Sequence, residues 1–342
     1  MTADAGTSTD DVPRGATDGR GPHVLFWGAE GDISALYRDR LPEGWRLSAL
    51  RDRDDEEGKL RSLADADVVI HTDNTPLTRA HLDAAPRLRL VQRQGVGLDA
   101  VDQDLLRERG LALAVCSAGT APAMAEHTVL LMLAAARHLV RLHEDVTQRG
   151  LWPKWEYRST SLGLYGSTVG IVGFGRIGQA VARAVLAFGS DVLVHRRQDA
   201  PLPEAWAGLP VRMAGGLDEV FAESDVVTLH CPLLPENRGM VDSRRLALMR
   251  PHSVFVNTAR GGLVVERDLV DALRAGRPAA AGLDVFETEP VAPDNPLFRL
   301  PNVVVTPHCG AGTRETAALK AQAVLDNVAR FWSGDPLEDR VL

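Results

Sequence analysis

Three short segments in the second half of the chain carry reactive side chains where a plain core would have none. NTARGGLV (257–264) sets Arg260 after an apolar run and before two glycines. GLDVFETEP (282–290) holds Asp284, Glu287 and Glu289 in otherwise apolar surroundings. VVVTPHCGAGT (303–313) ends its apolar run just before His308, and small residues follow. One Arg, one carboxylate and one His suffice for hydride transfer on a 2-oxo or 2-hydroxy acid. The cation holds the substrate carboxylate and polarises the carbonyl. The His, titrating nearest neutral pH, delivers a proton to oxygen as hydride reaches carbon. A partner carboxylate favours the imidazolium and fixes its orientation. Taken singly, each residue also fits a structural part, such as a strand-end His or an ion pair. Spacing alone leaves open which glutamate is the partner.

A hydride needs a carrier, and GFGRIG (173–178) is the candidate site. It lies between the apolar run STVGIV (167–172) and the amphipathic stretch RIGQAVARAVLAFG. In that setting Gly173 makes the tight turn, Gly175 lets a pyrophosphate approach, and Gly178 lets helix pack on strand. The helix N-terminus offers free N–H groups and a favourable dipole to the phosphates. Some twenty residues on, an NAD site usually carries an acid for the ribose. DVLVHRR places Arg196 and Arg197 there instead. Asp199 is the acidic counter-candidate, but it lies past the apolar run. An Arg attracts a 2′-phosphate through charge-assisted bonds of about 1.5–3 kcal/mol. The expectation is NADP(H) in preference to NAD(H).

Parallel strands must position these groups. Apolar runs at 23–27, 45–50, 67–71, 88–92 and 111–115 alternate with charged amphipathic stretches. A second series follows at 167–172, 191–195, 225–230, 253–258, 279–285 and 302–307. This βαβα rhythm predicts two doubly wound α/β domains, Rossmann- or flavodoxin-like, with an active-site cleft between them. Ligands in such sheets sit beyond the carboxyl ends of the strands. APAMAEHTVLLMLAAARHLVRLHEDV (121–146) reads as one long helix bridging the domains and touching an oligomeric partner. TRETAALKAQAVLDNVARFWSG (313–334) reads as a terminal helix ending at Gly334.

The 342 residues include 45% hydrophobic and 25% charged side chains, as in soluble globular proteins. A net charge of −8 argues against nucleic acid or an anionic membrane as partner. Three cysteines, Cys116, Cys231 and Cys309, have no metal-ligand spacing and fit a reducing cytoplasm; no metal is expected. Residues 1–22 lack the apolar core of a signal peptide and read as a disordered tail.

In seven ordered motifs the chain resembles the D-isomer-specific 2-hydroxyacid dehydrogenases, over about residues 65–335. They are GVGLD (95–99), AEHTVLLML (125–133), TVGIVGFGRIG (168–178), LHCPLLPENRGM (229–240), NTARGGLV, GLDVFETEP and TPHCGAGTRE (306–315). The resemblance implies a substrate domain from residues 23–119 plus 311–342 and a dinucleotide domain at 120–310. It implies catalysis by Arg260, with His308 as acid/base and Glu289 as its partner. Backbone N–H groups of Val96 and Gly97 would hold the substrate carboxylate, with Asn74 and Thr75 lining the pocket. The cofactor would meet Gly173, Gly175, Arg176, Ile177, Gly178, Arg196 and Arg197. It would also meet Cys231, Pro232, Thr258, Ala259, His308 and Gly310, and Asp284 at the nicotinamide amide. Cys231 and Cys309 would be packing residues.

Most of the family has Asp where this chain has Arg196. NADP-using glyoxylate and hydroxypyruvate reductases of the family tend to lack that acid. Cys309 is a second departure, since an aliphatic residue usually follows the His. Homodimers are usual in the family. With no regulatory domain after Leu342, the long serine-sensitive phosphoglycerate dehydrogenase type is not expected. Two other readings fit the same fold: a dinucleotide-sensing corepressor, or an enzyme acting on a non-carboxylate such as phosphite.

Overall fold

The computed structural model describes residues 20–29, 31–52, 54–72, 75–197 and 201–342. The residue 1–19 part of the expected tail, Asn74 and Asp199 lie outside the described residues. The chain divides into two compact units, Met1–Gly119 with Thr313–Leu342, and Thr120–Gly312.

The first unit is built on five strands: β1 (His23–Ala29), β2 (Arg46–Leu50), β3 (Val68–His71), β4 (Leu90–Arg93) and β5 (Ala112–Ala114). Their order is β2-β1-β3-β4-β5, and every pairing is parallel. This is the flavodoxin-like arrangement, with its switch point between β1 and β3. Strand alternation divides the core in two. Leu25 and Trp27 join Leu63, Leu82 and Leu106 on one face. Val24 and Phe26 face the other way, toward Val324, Leu325 and Phe331 of the Arg314–Ser333 helix. That helix ends as expected, with Gly334 left-handed at φ +81°.

The second unit has seven strands: β6 (Thr168–Val172), β7 (Asp191–His195), β8 (Val211–Met213), β9 (Val226–Leu229), β10 (Val254–Asn257), β11 (Ala280–Leu283) and β12 (Val303–Val305). Their order is β12-β11-β10-β9-β6-β7-β8, again with all pairings parallel. Renumbered within the unit this is the Rossmann order, extended by one strand. Both faces are covered: Val169, Ile171 and Val256 pack on one side, and Val227, Phe255 and Leu283 on the other. Near-continuous apolar strands are what a doubly covered parallel sheet requires.

Two sequence expectations need correction. The helix at 121–146 is two helices, Thr120–Ala136 and Leu139–Thr147. The Leu162 N–H donates to the Ala136 carbonyl at 2.9 Å, using the acceptor that a continuing helix needs. His138 then turns left-handed at φ +51°. Strand β8 was not expected: it is three partly exposed residues at the sheet edge, with no apolar run to announce it.

Candidate active site

The loops after β10, β11 and β12 carry the predicted trio, and the structure brings these loops together. Asn257 ends β10, and its side chain braces the following turn. Its Nδ2 donates to the Arg260 carbonyl at 2.9 Å, and its Oδ1 accepts from Ala259 N–H at 3.0 Å. Gly261 lies so close to the next loop that a Cβ there would sit 1.8 Å from the Phe286 carbonyl oxygen. Only glycine permits that approach, which sets Arg260 beside the 284–289 loop.

Glu289 receives a proton donor at each oxygen. Oε1 accepts from Phe286 N–H at 3.0 Å, and Oε2 lies 2.7 Å from His308 Nδ1. Burial pushes the Glu289 carboxyl up, but these donors outweigh it and hold it below the usual carboxylate range. The His308 imidazole is raised, first by its hydrogen bond to Glu289 and then by that residue's charge. Burial and the Arg260 guanidinium oppose the rise without cancelling it. Since Glu289 occupies Nδ1, the ring presents Nε2 to a ligand. Glu287 makes no such contact; its backbone N–H donates to Glu266 at 3.1 Å.

His308 stands in the left-handed region at φ +52°, which β-carbon-bearing residues rarely adopt. Asp284 holds it there. The His308 N–H donates to the Asp284 carbonyl at 2.8 Å. The buried Asp284 carboxylate accepts from Thr306 Oγ1 (2.6 Å), Cys309 N–H (3.0 Å) and Gly310 N–H (3.0 Å). His127 completes the cluster, with Nε2 3.0 Å from Thr306 Oγ1 and 3.3 Å from Asp284 Oδ1. Asp284 thus anchors the whole 306–310 turn. The sequence reading missed His127 and Thr306, although both stand in quoted motifs. No spacing rule links residues 127 and 284.

The glycine loop follows β6 at the switch point of the seven-stranded sheet. Gly173 has φ +97°, and a Cβ there would meet the His230 carbonyl oxygen at 2.5 Å and Cys231 N at 2.9 Å. A Cβ at Gly178 would meet the Gly173 carbonyl oxygen at 2.1 Å. At Gly175 a Cβ would meet nothing within 4 Å. Two glycines are therefore required by the protein itself, and the third faces open space at the N-terminus of the Arg176–Ala187 helix. That is the fit a pyrophosphate needs. Gly175 makes no side-chain cap, and Arg176 is exposed beside it.

Arg196 follows β7 half-buried, with Nη2 donating to the Pro201 carbonyl at 2.9 Å. Exposed Arg197 pairs with Glu236 at 3.2 Å. Thr258 and Ala259 are buried, and the Thr258 hydroxyl meets that of Thr128 at 2.9 Å. Burial raises the Cys231 thiol to about 11, so it is a poor nucleophile at neutral pH. Pro232 beside it is exposed.

In the first unit, exposed Val96 and half-buried Gly97 form the loop after β4. The Gly97 carbonyl accepts from Arg93 Nε at 3.0 Å. The Thr75 carbonyl accepts from Trp27 Nε1 at 3.2 Å and lies 2.8 Å from His71 Nε2.

The model of the D-isomer specific 2-hydroxyacid dehydrogenase NAD-binding domain matches residues 129–310. A D-3-phosphoglycerate dehydrogenase of Mycobacterium leprae is 38% identical over 85% of this chain and 54% of its own length. The chain thus spans about half the length of the first such curated relatives. A hydroxypyruvate reductase of Blautia hydrogenotrophica is 36% identical over 83% of this chain and 87% of its own. Among solved structures, an NADPH-dependent glyoxylate/hydroxypyruvate reductase of Sinorhizobium meliloti superposes with a TM-score of 0.80. It is 28% identical and covers 94% of this chain and 97% of that one. Motifs, sheet orders and relatives agree, and the chain belongs to the D-isomer specific 2-hydroxyacid dehydrogenase family.

Proposed function

We propose that this protein reduces a 2-oxo acid to the D-2-hydroxy acid with NADPH, glyoxylate and hydroxypyruvate being the first substrates to test. The observation that carries this reading is the 2.7 Å contact between His308 Nδ1 and Glu289 Oε2, with Arg260 in the adjoining turn. The dinucleotide, when bound, supplies the hydride that adds to the carbonyl carbon. Gly173, Gly175 and Gly178 shape its phosphate site. Arg260 holds the substrate carboxylate and draws electron density from the carbonyl. As the C=O π pair moves to oxygen, imidazolium Nε2 of His308 donates the proton that makes the hydroxyl. Glu289 keeps the ring charged and aimed until then.

Arg196 supports NADP(H) over NAD(H). It follows the second strand of the Rossmann unit, β7, where an acid would repel a 2′-phosphate. Arg197 is the weaker candidate, because Glu236 already neutralises it. The test is a panel of 2-oxo acids assayed with NADPH and NADH in parallel. Turnover of at least one member, faster with NADPH, is expected. No turnover across the panel overturns the reading.

A further inference from the structure

The five-stranded unit holds a cation that the proposed reaction does not use. Lys320 lies on the Arg314–Ser333 helix, where residues 316, 320, 324 and 327 share one face by helical spacing. The rest of that face is fixed to the sheet. Asn327 Nδ2 donates to Oε1 of Gln92, in β4, at 2.7 Å. Val324 is fully buried. Buried Thr316 donates from Oγ1 to the carbonyl of Gly119, past the end of β5, at 3.5 Å. Read from Asn327 back to Thr316, the helix passes from the body of the sheet to beyond the carboxyl ends of its strands. Lys320 emerges at those ends, where ligands of open α/β sheets bind.

The groups acting on Lys320 there are Cys116 and Arg93. The Cys116 N–H donates to the Gly95 carbonyl at 3.2 Å, so one of the groups acting on Lys320 is tied to the Gly95–Gly97 loop. Arg93 is already committed. Its Nη1 lies 2.7 Å from His71 Nδ1, and its Nε donates to the Gly97 carbonyl. A guanidinium can only donate, so His71 Nδ1 accepts and its Nε2–H donates to the Thr75 carbonyl. Arg93 thereby ties the loops after β3 and β4 together. Lys320, by contrast, has no ion-pair or hydrogen-bond partner among the described residues. Burial lowers its pKa; Cys116 opposes the fall and the like charge of Arg93 adds to it, and the net shift is downward. A half-buried ammonium so placed is costly until an anion joins it. Its side chain is nonetheless partly open to solvent, so a soluble ligand can reach it.

We propose that Lys320 binds the second anionic group, carboxylate or phosphate, of a 2-oxo or 2-hydroxy acid substrate at the carboxyl ends of β4 and β5. This rests on the functional reading above, together with the expectation from the family resemblance that the Val96 and Gly97 N–H groups help Arg260 receive the carboxylate common to all such acids. Lys320 then selects substrates with a charge at the far end.

The test is calorimetric titration of the protein saturated with oxidised dinucleotide, so that no turnover occurs. The ligands are glyoxylate, 2-oxoglutarate and phosphohydroxypyruvate, against the wild type, K320M, K320Q and K320R. Methionine and glutamine are good helix formers, and either variant serves if the other fails to fold. The expected result is that K320M or K320Q weakens one or both dianions about 10- to 100-fold more than glyoxylate. K320R should restore most of the difference. Equal weakening of all three ligands, no weakening, or no dianion binding to the wild type overturns the proposal. Binding is read without catalysis. A protein that holds dianions through Lys320 but reduces no 2-oxo acid would instead overturn the functional reading alone.

Discussion

Glu289 Oε2 lies 2.7 Å from His308 Nδ1, while Glu289 Oε1 accepts the Phe286 N–H. The carboxylate is thus fixed by its own loop before it orients the imidazole. A charged partner held this way raises the His308 pKa, and its own falls.

This sets a pH dependence. In the proposed reduction the imidazolium gives the proton, so kcat/KM for reduction should fall as pH rises through the elevated His308 pKa. Glu289→Gln keeps the shape but removes the charge. Its alkaline limb should move to lower pH, and kcat at neutral pH should fall by about 10²–10⁴. A pH–rate profile of both proteins checks this, and an unmoved limb would show that Glu289 does not tune His308.

Two glycines of one loop should respond differently to the same change. Gly178→Ala puts a methyl 2.1 Å from the Gly173 carbonyl oxygen. Overpacking of about 1–3 kcal/mol follows, which lowers Tm by several degrees. Gly175→Ala meets no protein atom within 4 Å, and its φ of −79° suits alanine. Its Tm without cofactor should stay near wild type while dinucleotide Kd rises at least about tenfold, since the methyl enters the phosphate approach. Thermal melts with and without dinucleotide separate the two.

The proposed preference for NADP(H) is tested at Arg196. Arg196→Asp would exchange the proposed 2′-phosphate ligand for a ribose ligand. NADPH should bind about 10- to 150-fold more weakly, from the loss of one charge-assisted bond, and NADH should gain. Fluorescence titration with both dinucleotides gives the answer. Unchanged NADPH affinity would refute the role of Arg196.

Much of this was legible in the sequence because parallel α/β folds write themselves in apolar runs. Runs such as 191–195 became strands with the expected ends. Where periodicity carries no signal, the reading failed. The break at His138 depends on Leu162 taking the Ala136 carbonyl, a partner twenty-six residues away. Strand β8 is an edge strand of three residues, with Arg212 ion-paired to Glu219 between Val211 and Met213, which pack on the core but are too few to read as an apolar run. The same limit applies to the site. Arg260, Glu289 and His308 stood out as charged residues at strand ends. His127 did not, because it sits in a helix and acts only through Thr306 and Asp284. Lys320 was unremarked for a similar reason: its isolation is visible only once the helix is laid against β4.

The proposed reduction is tested at the hydride itself. A single turnover with NADPH deuterated at its transferable position is analysed by mass and by chiral chromatography, using a 2-oxo acid active in the panel whose product has a stereocentre, such as hydroxypyruvate. One deuterium is expected on the carbinol carbon of the D-2-hydroxy acid, and no such product with Arg260→Ala. Product without deuterium, product of L configuration, or full activity of Arg260→Ala would contradict the proposed reduction.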